Sequence, residues 1–285
     1  MTAATTHGSG PTSDQRTRAL EAQVRELADQ VAELRAKVEG SGPRFAALYA
    51  DFTDEFRGTS DDVTAKLAGY LPDVRRLVGD AGEEEVRVVD IGSGRGEWLG
   101  LLQDAGVNVA GVDVNPAFVR AGRARGLNMV DGDAVSYLRS LPNQSLDLVT
   151  AFHVIEHLDV ETLLAVLEAA RKALRPGGCV LFETPNPTNL QMAACDFYND
   201  PTHRSPLPPA LTRYLVAASG YERVEVRHLH PARSPLEDAP LEQASRNDVQ
   251  PQGGGAPMFE RLLVHTLYGP QDYAVLGYTP AASGP

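Results

Sequence analysis

The sequence predicts an α/β protein: a mostly parallel sheet with helices on both faces, preceded by an N-terminal coiled-coil helix. Three observations support this. Short β-rich runs alternate with helical segments between residues 85 and 184, a glycine-rich turn follows the first run, and apolar residues recur at heptad spacing between residues 20 and 38. Alternating strands and helices are typical of parallel sheets, because each parallel connection must cross the sheet.

Composition and charge narrow the classes of partner. The chain has 285 residues, which is enough for one large α/β domain with appendages or for two small domains. The formal charge of -12 argues against a nucleic-acid partner. No apolar run reaches the roughly 18 residues of a membrane span, so we expect no integral membrane segment. The two cysteines, Cys179 and Cys195, lack metal-site spacing and suit a reducing, cytoplasmic location.

The N-terminal segments predict a tail followed by a dimerisation helix. Residues 1–16 are polar and indicate a disordered tail, and residues 17–42 form the predicted helix. Its apolar positions are spaced four and three residues apart in turn, and they are Leu20, Val24, Leu27, Val31, Leu34 and Val38. Valine at a and leucine at d favour a parallel two-stranded coil, which predicts a homodimer through residues 20–38. The alternative is a helix that lies on its own globular domain.

Residues 43–80 are predicted to form a helical cap. One helix carries an apolar stripe from Phe45 to Phe52, and Asp61 is expected to cap a second helix that runs to about Leu77 with a bend at Pro72. The main interpretation is that these helices cover the sheet. The alternative, compatible with it, is that they help to close a substrate cleft.

The remaining domain, residues 81–285, contains the predicted sheet. Helices are expected from the glycine-rich turn to residue 105, from about residue 116, at 134–138, up to about residue 174, and at 209–218. The predicted strands are 86–91, 107–112, 127–130, 146–152, 179–184, 224–228 and 272–278. Residues 231–257 are rich in proline, glycine and polar residues and indicate a long insertion.

A glycine-rich turn follows the first predicted strand, in Asp90-Ile91-Gly92-Ser93-Gly94-Arg95-Gly96. Glycines let the backbone approach a ligand closely. A dinucleotide site would need a glycine where Glu97 stands, and the acidic residue before the first glycine suits a ligand with a cationic amino-acid end. Asp113 lies 21 residues after Gly92, the usual distance for a carboxylate that accepts ribose hydroxyls. Asp133 ends the third strand and could accept from an adenine amino group; the alternative is an ordinary turn aspartate.

Together these residues resemble the class I S-adenosylmethionine-dependent methyltransferases, over about residues 80–230. The resemblance implies a Rossmann-like sheet of seven strands and S-adenosyl-L-methionine as cofactor. It also implies that Asp113 holds the ribose and that Asp133 and Ala134 contact the adenine. The residues implied at the loop and the methionine end are Asp90, Gly92, Gly94 and Gly96.

His153, Glu156 and His157 follow the fourth strand directly, and three interpretations compete. In the first, His153 or His157 is a general base and Glu156 orients it. In the second, the three residues bind a divalent ion such as Mg²⁺. The pattern is similar to the Glu-x-x-Glu-His metal site of ubiquinone-pathway O-methyltransferases, with His153 in place of the first glutamate, although Mg²⁺ prefers oxygen ligands. In the third, the group only caps the next helix and packs against the cofactor.

A polar, proline-rich segment follows the fifth strand and is predicted to bind the acceptor; an ordinary rigid loop is the alternative. Its candidate residues are Asn186, Asp196, Tyr198, Asp200, His203 and Arg204. This segment, with 94–99 and 153–158, resembles bacterial saccharide O-methyltransferases, including O-antigen-capping domains. The resemblance implies transfer to a sugar hydroxyl of a saccharide or polysaccharide precursor. The alternatives are an enzyme that methylates a small secondary metabolite, or a non-catalytic cofactor-binding subunit.

Overall fold

The computed structural model describes residues 23, 26, 48–49, 52–53, 55–79, 87–232 and 256–281. It divides into two compact units, Met1–Arg57 and Gly58–Pro285. In the first unit, the described residues 48–49, 52–53 and 55–56 are helical, and the Phe52 ring stacks on Tyr49 and Phe56 at centroid distances of 5.7 and 4.7 Å. The predicted tail and coiled coil lie outside the described residues, apart from residues 23 and 26, which are helical.

The second unit contains the predicted seven-stranded sheet, in the order β3-β2-β1-β4-β5-β7-β6. Strands β1 to β5 pair in parallel, whereas β7 runs antiparallel to both β5 and β6. The strands are β1 Val88–Ile91, β2 Val109–Asp113, β3 Met129–Asp131, β4 Leu146–Phe152, β5 Leu174–Pro185, β6 Glu222–Pro231 and β7 Pro270–Tyr278. The predicted Rossmann-like architecture is therefore confirmed.

Helices cover both faces of this sheet. Successive side chains of a strand point to opposite faces, so Val88 and Val89 lie in two separate hydrophobic clusters. The helices are α1 Ser60–Leu67, α2 Leu71–Val78, α3 Glu97–Asp104, α4 Pro116–Ala124, α5 Ala134–Ser140, α6 Val160–Ala173, α7 Leu190–Ala194, α8 Pro209–Ala218 and α9 Ala256–Tyr268. Helices α1 to α4 pack on one face and α5, α6 and α8 on the other. No described helix is both long and apolar enough to span a bilayer.

The second helix of the helical cap, α1, has its N-cap two residues before the expected Asp61. The side chain of Thr59 is the N-cap of α1 and accepts a hydrogen bond from the backbone N–H of Asp62. A 3₁₀ turn, Ala68–Tyr70, separates α1 from α2, and Pro72 lies in the first turn of α2. Proline is tolerated there because the first backbone N–H groups of a helix have no intrahelical acceptor. The helix is therefore interrupted before Pro72, and Tyr70 lies in the 3₁₀ turn that interrupts it.

The C-terminal part differs most from the sequence prediction. Helix α9 was not predicted, and of the predicted insertion 231–257 the residues 233–255 lie outside the described part of the chain. Strand β7 runs antiparallel to β5, so Asp272 near its start pairs with Pro185 at the end of β5. Residues from both strands therefore meet at the edge of the sheet where β1 to β5 end.

Candidate functional site

The glycine-rich loop between β1 and α3 has a backbone that requires glycine. Gly92, Gly94 and Gly96 have φ angles of 65°, 53° and 80°, in the left-handed region. A Cβ at Gly92 would lie 2.5 Å from Cγ2 of Val154, which follows β4. The loop therefore packs directly against the segment that carries His153.

Asp113 is hydrogen-bonded to the same loop. Its Oδ2 accepts from the backbone N–H of Gly94 at 2.8 Å, and its Oδ1 accepts from the N–H of Asn115 at 2.7 Å. The carboxylate is buried at the end of β2. The structure thus brings together the glycine loop and the acidic residue that the sequence predicts for the ribose.

Asp90 is buried under the loop at the end of a short hydrogen-bond chain. The indole N–H of Trp98 donates to Thr150 Oγ1 at 3.1 Å, and the Thr150 hydroxyl donates to Asp90 Oδ1 at 2.7 Å. Desolvation raises the pKa of Asp90 to about 7, against the hydrogen bond from Thr150. Trp98 is buried in the core, and its N–H is linked to Asp90 through the Thr150 hydroxyl.

Asp133 and Ala134 lie at the start of α5. Asp133 is the N-cap of this helix, and its Oδ1 accepts from the backbone N–H of Ser136 at 2.8 Å. Its side chain is exposed, at the edge of the sheet formed by β2 and β3. The structure gives Asp133 a capping role, and the adenine contact stays a prediction.

His153 lies at the centre of a cluster of carboxylates. Its Nδ1 is 3.4 Å from Glu156 Oε1, and its Nε2 is 3.5 Å from Glu183 Oε1 and 3.8 Å from Asp272 Oδ1. Its φ of 55° is unusual for a non-glycine residue. Desolvation opposes the protonated ring, but the interactions with Glu156, Glu183 and Asp272 outweigh it and raise the pKa of His153 to about 10. In this environment the ring is protonated at neutral pH, which suits the general base predicted from the sequence only if a bound cation lowers the pKa of His153.

Two further side chains orient these carboxylates. The Tyr70 hydroxyl donates a short hydrogen bond to Glu183 Oε2, and His230 Nδ1 lies 3.0 Å from Asp272 Oδ2. None of these four was predicted as a site residue, although Glu183 begins the polar segment. They come from the cap, β5, β6 and β7, so no local pattern could have grouped them.

His157 belongs to a different group from His153, and Glu156 lies near both histidines. The histidine and carboxylate ligand atoms of the described residues form two compact sets, one of Glu156, His157 and His203 and the other of His153, Glu183 and Asp272. A magnesium ion held by His153, Glu156 and His157 does not fit this arrangement, because the two histidines belong to different sets and Mg²⁺ prefers oxygen ligands.

The polar segment after β5 is held by hydrogen bonds within itself and to other parts of the fold. The buried Asn186 side chain donates to the carbonyl of Pro270 at 2.9 Å and accepts from the Thr188 hydroxyl at 2.8 Å, so it ties the segment to β7. Asp200 Oδ1 accepts from the hydroxyl of Thr202 at 2.6 Å.

The other predicted acceptor residues differ in exposure. Arg204 is at the surface, 3.4 Å from Asp159. Tyr198 is 66% exposed, and Asp196 begins the same 3₁₀ turn, Asp196–Asn199. His203 is nearly buried and packs at a centroid distance of 4.7 Å from His157. Of the predicted set, Asp200 and His203 approach the cluster after β4, whereas Arg204 and Tyr198 face outward.

Comparison with known proteins agrees with this geometry. The family model for a methyltransferase domain matches residues 25–226. The chain belongs to the methyltransferase domain family. It is similar to the crystal structure of an S-adenosylmethionine-dependent methyltransferase from Archaeoglobus fulgidus, with a TM-score of 0.68 and 31% identity over 81% of this chain and 99% of that one.

Curated relatives match the chain over shorter stretches. A 2-ketoarginine methyltransferase of Streptomyces arginensis is 37% identical over 38% of this chain and 34% of its own length. A probable S-adenosylmethionine-dependent methyltransferase of Mycolicibacterium smegmatis is 35% identical over 48% of this chain and 49% of its own length. A ubiquinone biosynthesis O-methyltransferase of Idiomarina loihiensis is 32% identical over 35% of this chain and 42% of its own length. The chain thus spans between a third and a half of these relatives.

Proposed function

We propose that the chain is an S-adenosylmethionine-dependent O-methyltransferase that acts on a sugar hydroxyl of a saccharide or polysaccharide precursor. The observation that carries this proposal is the position of His153, which lies among three carboxylates in the segment that packs on the glycine loop. In the proposed complex the loop residues 92, 94 and 96 line the cofactor, and Asp113 accepts hydrogen bonds from the ribose.

The proposed reaction is an in-line displacement. The acceptor oxygen forms a bond to the methyl carbon, the carbon–sulfur bond breaks, and the hydroxyl proton passes to His153. A bound sulfonium cation near this ring would lower the pKa of His153 from its raised value, because like charges disfavour the protonated form. Glu156 keeps the ring in position.

The carboxylates of Glu183 and Asp272 support a polyhydroxylated acceptor, because carboxylates accept hydrogen bonds from hydroxyl groups. Both are nearly buried and each has its second oxygen engaged, with Tyr70 and His230 respectively. Asp200 and the exposed ring of Tyr198 extend the proposed acceptor surface along the polar segment.

A cationic small metabolite is the second candidate acceptor. Glu156, Glu183 and Asp272 outnumber the imidazolium of His153, which favours a positively charged group in the same place. The similarity to a 2-ketoarginine methyltransferase is consistent with such an acceptor.

A product assay separates the two acceptors. The full chain is incubated with S-adenosylmethionine and with panels of mannosides, glucosides and guanidino or amino acids, with and without EDTA, and products are identified by mass spectrometry. A methylated saccharide supports the main proposal, and a methylated cationic metabolite supports the second. Tight cofactor binding without any methylated product contradicts both and favours a non-catalytic subunit.

His153→Ala tests the proposed base. We expect turnover to fall at least about 100-fold, since general bases contribute that much, with no loss of cofactor affinity. Product formation and cofactor titration measure the two effects. His228→Ala, which changes an exposed histidine of β6, is the control. Retained turnover in His153→Ala would remove this residue from the proposed role.

A further inference from the structure

We propose that Glu156, His157 and His203 bind one divalent transition-metal ion, represented here by Zn²⁺. The inference goes beyond the proposed function and does not depend on it. It differs from the magnesium site predicted from the sequence both in the ion and in the ligands, because His203 takes the place of His153.

The tautomer of His203 leaves one ring nitrogen able to bind a metal. Its Nδ1 lies 2.6 Å from the carbonyl oxygen of Phe197, which can only accept, so Nδ1 carries the hydrogen. In the neutral ring Nε2 then holds the lone pair. This Nε2 is 3.8 Å from Glu156 Oε1, too far for a hydrogen bond.

The tautomer of His157 follows from the same reasoning. The Thr202 hydroxyl gives its hydrogen to Asp200 Oδ1 at 2.6 Å, because a carboxylate can only accept. The hydroxyl oxygen therefore accepts from Nδ1 of His157, 2.8 Å away. Nε2 of His157 is left with the lone pair, as in His203.

Glu156 supplies a buried carboxylate oxygen between the rings of His153 and His203. Its Oε2 accepts from the Thr184 hydroxyl at 2.9 Å. Its Oε1 makes no hydrogen bond within the described part of the chain, and it lies 3.4 Å from Nδ1 of His153 and 3.8 Å from Nε2 of His203. The side chain is fully buried. A buried oxygen without a hydrogen-bond donor is costly, and a metal ion bound between this oxygen and the two imidazoles would offset that cost.

The donor set indicates the class of metal. Two imidazole nitrogens and one carboxylate oxygen are typical ligands of zinc and of other first-row transition ions. In such sites the other ring nitrogen of each histidine regularly donates to an acceptor, as Nδ1 does in His157 and His203. The three ligand atoms lie within 4.8 Å of one another. Zinc ligands at about 2.0–2.2 Å from the ion are closer together than this, so loading would draw them inward by about 1 Å.

A bound ion would fix the polar segment to the sheet. His203 lies in that segment and Glu156 follows β4, and the two regions are already joined by the backbone hydrogen bond from Arg204 N–H to the Glu156 carbonyl at 2.9 Å. Asp200 Oδ2 lies 3.9 Å from Nε2 of His203, at the rim of the site.

Metal titration of the full chain tests the proposal. Tag-free protein is stripped with a chelator and titrated with Co²⁺ and Zn²⁺, and bound metal is counted by elemental analysis. We expect one ion per chain, a visible Co²⁺ coordination spectrum and a higher melting temperature. His203→Asn replaces the ring while its amide can still donate to Phe197, and it is expected to weaken binding at least tenfold. His157→Ala is expected to do the same.

Two comparisons make the result decisive. His228→Ala, at an exposed position of β6, is expected to bind the ion as tightly as the unchanged chain. If His153→Ala abolishes binding while His203→Asn does not, the ion is in the other cluster and the proposal is overturned. Absence of a bound ion in the unchanged chain also overturns it. Methyl transfer is assayed separately on the same stripped protein, so failure of one proposal leaves the other measurable.

Discussion

Asp90 and His153 both have raised pKa values, for different physical reasons. Asp90 is buried and the loss of water raises its pKa to about 7, whereas the carboxylates around His153 outweigh desolvation and raise its pKa to about 10. At neutral pH the first effect makes the carboxylate easier to protonate, and the second keeps the imidazole charged as long as no cation is bound beside it. The charge at each position is therefore a property of its surroundings.

Replacement of Asp90 by Asn tests the cost of that burial. The pKa of Asp90 in the folded protein exceeds the value of about 3.9 expected in the unfolded chain. The unfolding free energy of the wild type therefore falls as the pH rises from about 4 to 7, and this loss of stability is complete above pH 7. Asp90→Asn keeps an acceptor for Thr150 and lacks this penalty. We expect it to gain roughly 1–4 kcal/mol in unfolding free energy at pH 8, but little at pH 4.5, as measured by urea denaturation.

The same variant is expected to bind S-adenosylmethionine more weakly, because the buried carboxylate attracts the cation. Calorimetric titration measures this affinity. Asp104→Asn, an exposed change at the end of α3, serves as the control with an expected stability change below about 0.5 kcal/mol. An equal stability gain at both pH values would contradict the burial argument.

Gly92 offers a steric test of the loop. Gly92→Ala introduces a Cβ about 2.5 Å from Val154 at a φ of 65°, and we expect it to cost roughly 1–3 kcal/mol and to weaken cofactor binding. Gly100→Ala is the matched control, since its Cβ meets nothing within 4 Å and alanine favours the helix by about 0.5–1 kcal/mol. Thermal unfolding and cofactor titration compare the pair. A neutral Gly92→Ala would show that the loop tolerates side chains.

At the scale of elements, the helical cap is joined to the sheet by polar contacts as well as by packing. Tyr70 packs on Phe152 at a centroid distance of 5.4 Å and donates to Glu183. Burial opposes ionisation of Asp73, but the hydrogen bonds from Arg227 and Arg76 outweigh it and lower the pKa of Asp73. Helices α1 and α2 therefore cover the sheet and also place a side chain in the candidate site.

Tyr70→Phe separates these two roles. The ring keeps its packing on Phe152, but Glu183 loses a donor, so kcat/KM for the acceptor is expected to fall about tenfold while cofactor affinity stays constant. Steady-state kinetics and cofactor titration measure the difference. Tyr214→Phe, at a residue 67% exposed on α8, is the control. Equal losses in both measurements would indicate a general structural effect.

At the scale of the whole molecule, the candidate site and the predicted dimer depend on different units. The seven-stranded unit contains both side-chain clusters, whereas the predicted dimer depends on residues 20–38, which lie outside the described residues except for 23 and 26. A homodimer and a cytoplasmic location stay predictions from the sequence.

Deletion of residues 1–42 tests the dimer. The shortened chain is expected to sediment as a monomer and the full chain as a dimer, because the heptad seam is removed. Analytical ultracentrifugation at several concentrations measures the mass. Leu27→Asp in the full chain is the point-variant counterpart, since a charge at a d position disrupts the seam. A dimer that persists in both variants would contradict the coiled-coil prediction.

Local patterns predicted most of the strands and the glycine-rich turn after β1. The run 146–152 and the helix 209–218 were placed at their observed bounds, because buried strands and capped helices have strong local signals. Helix α9 was missed, since it follows a segment of low-complexity polar sequence. Asp61 was expected as a cap, but Thr59 also offers a capping side chain and is the one observed.

The sequence alone determined the alternation of strands and helices, the glycine loop and the carboxylate of Asp113, because each depends on neighbours close in the chain. Only the tertiary structure decided which acidic groups surround His153. Antiparallel β7 brings Asp272 to the end of β5, and the break before α2 brings Tyr70 to Glu183. These residues are about 90–110 positions apart in sequence, so their contacts, and the pKa of His153, follow from packing that no local pattern records.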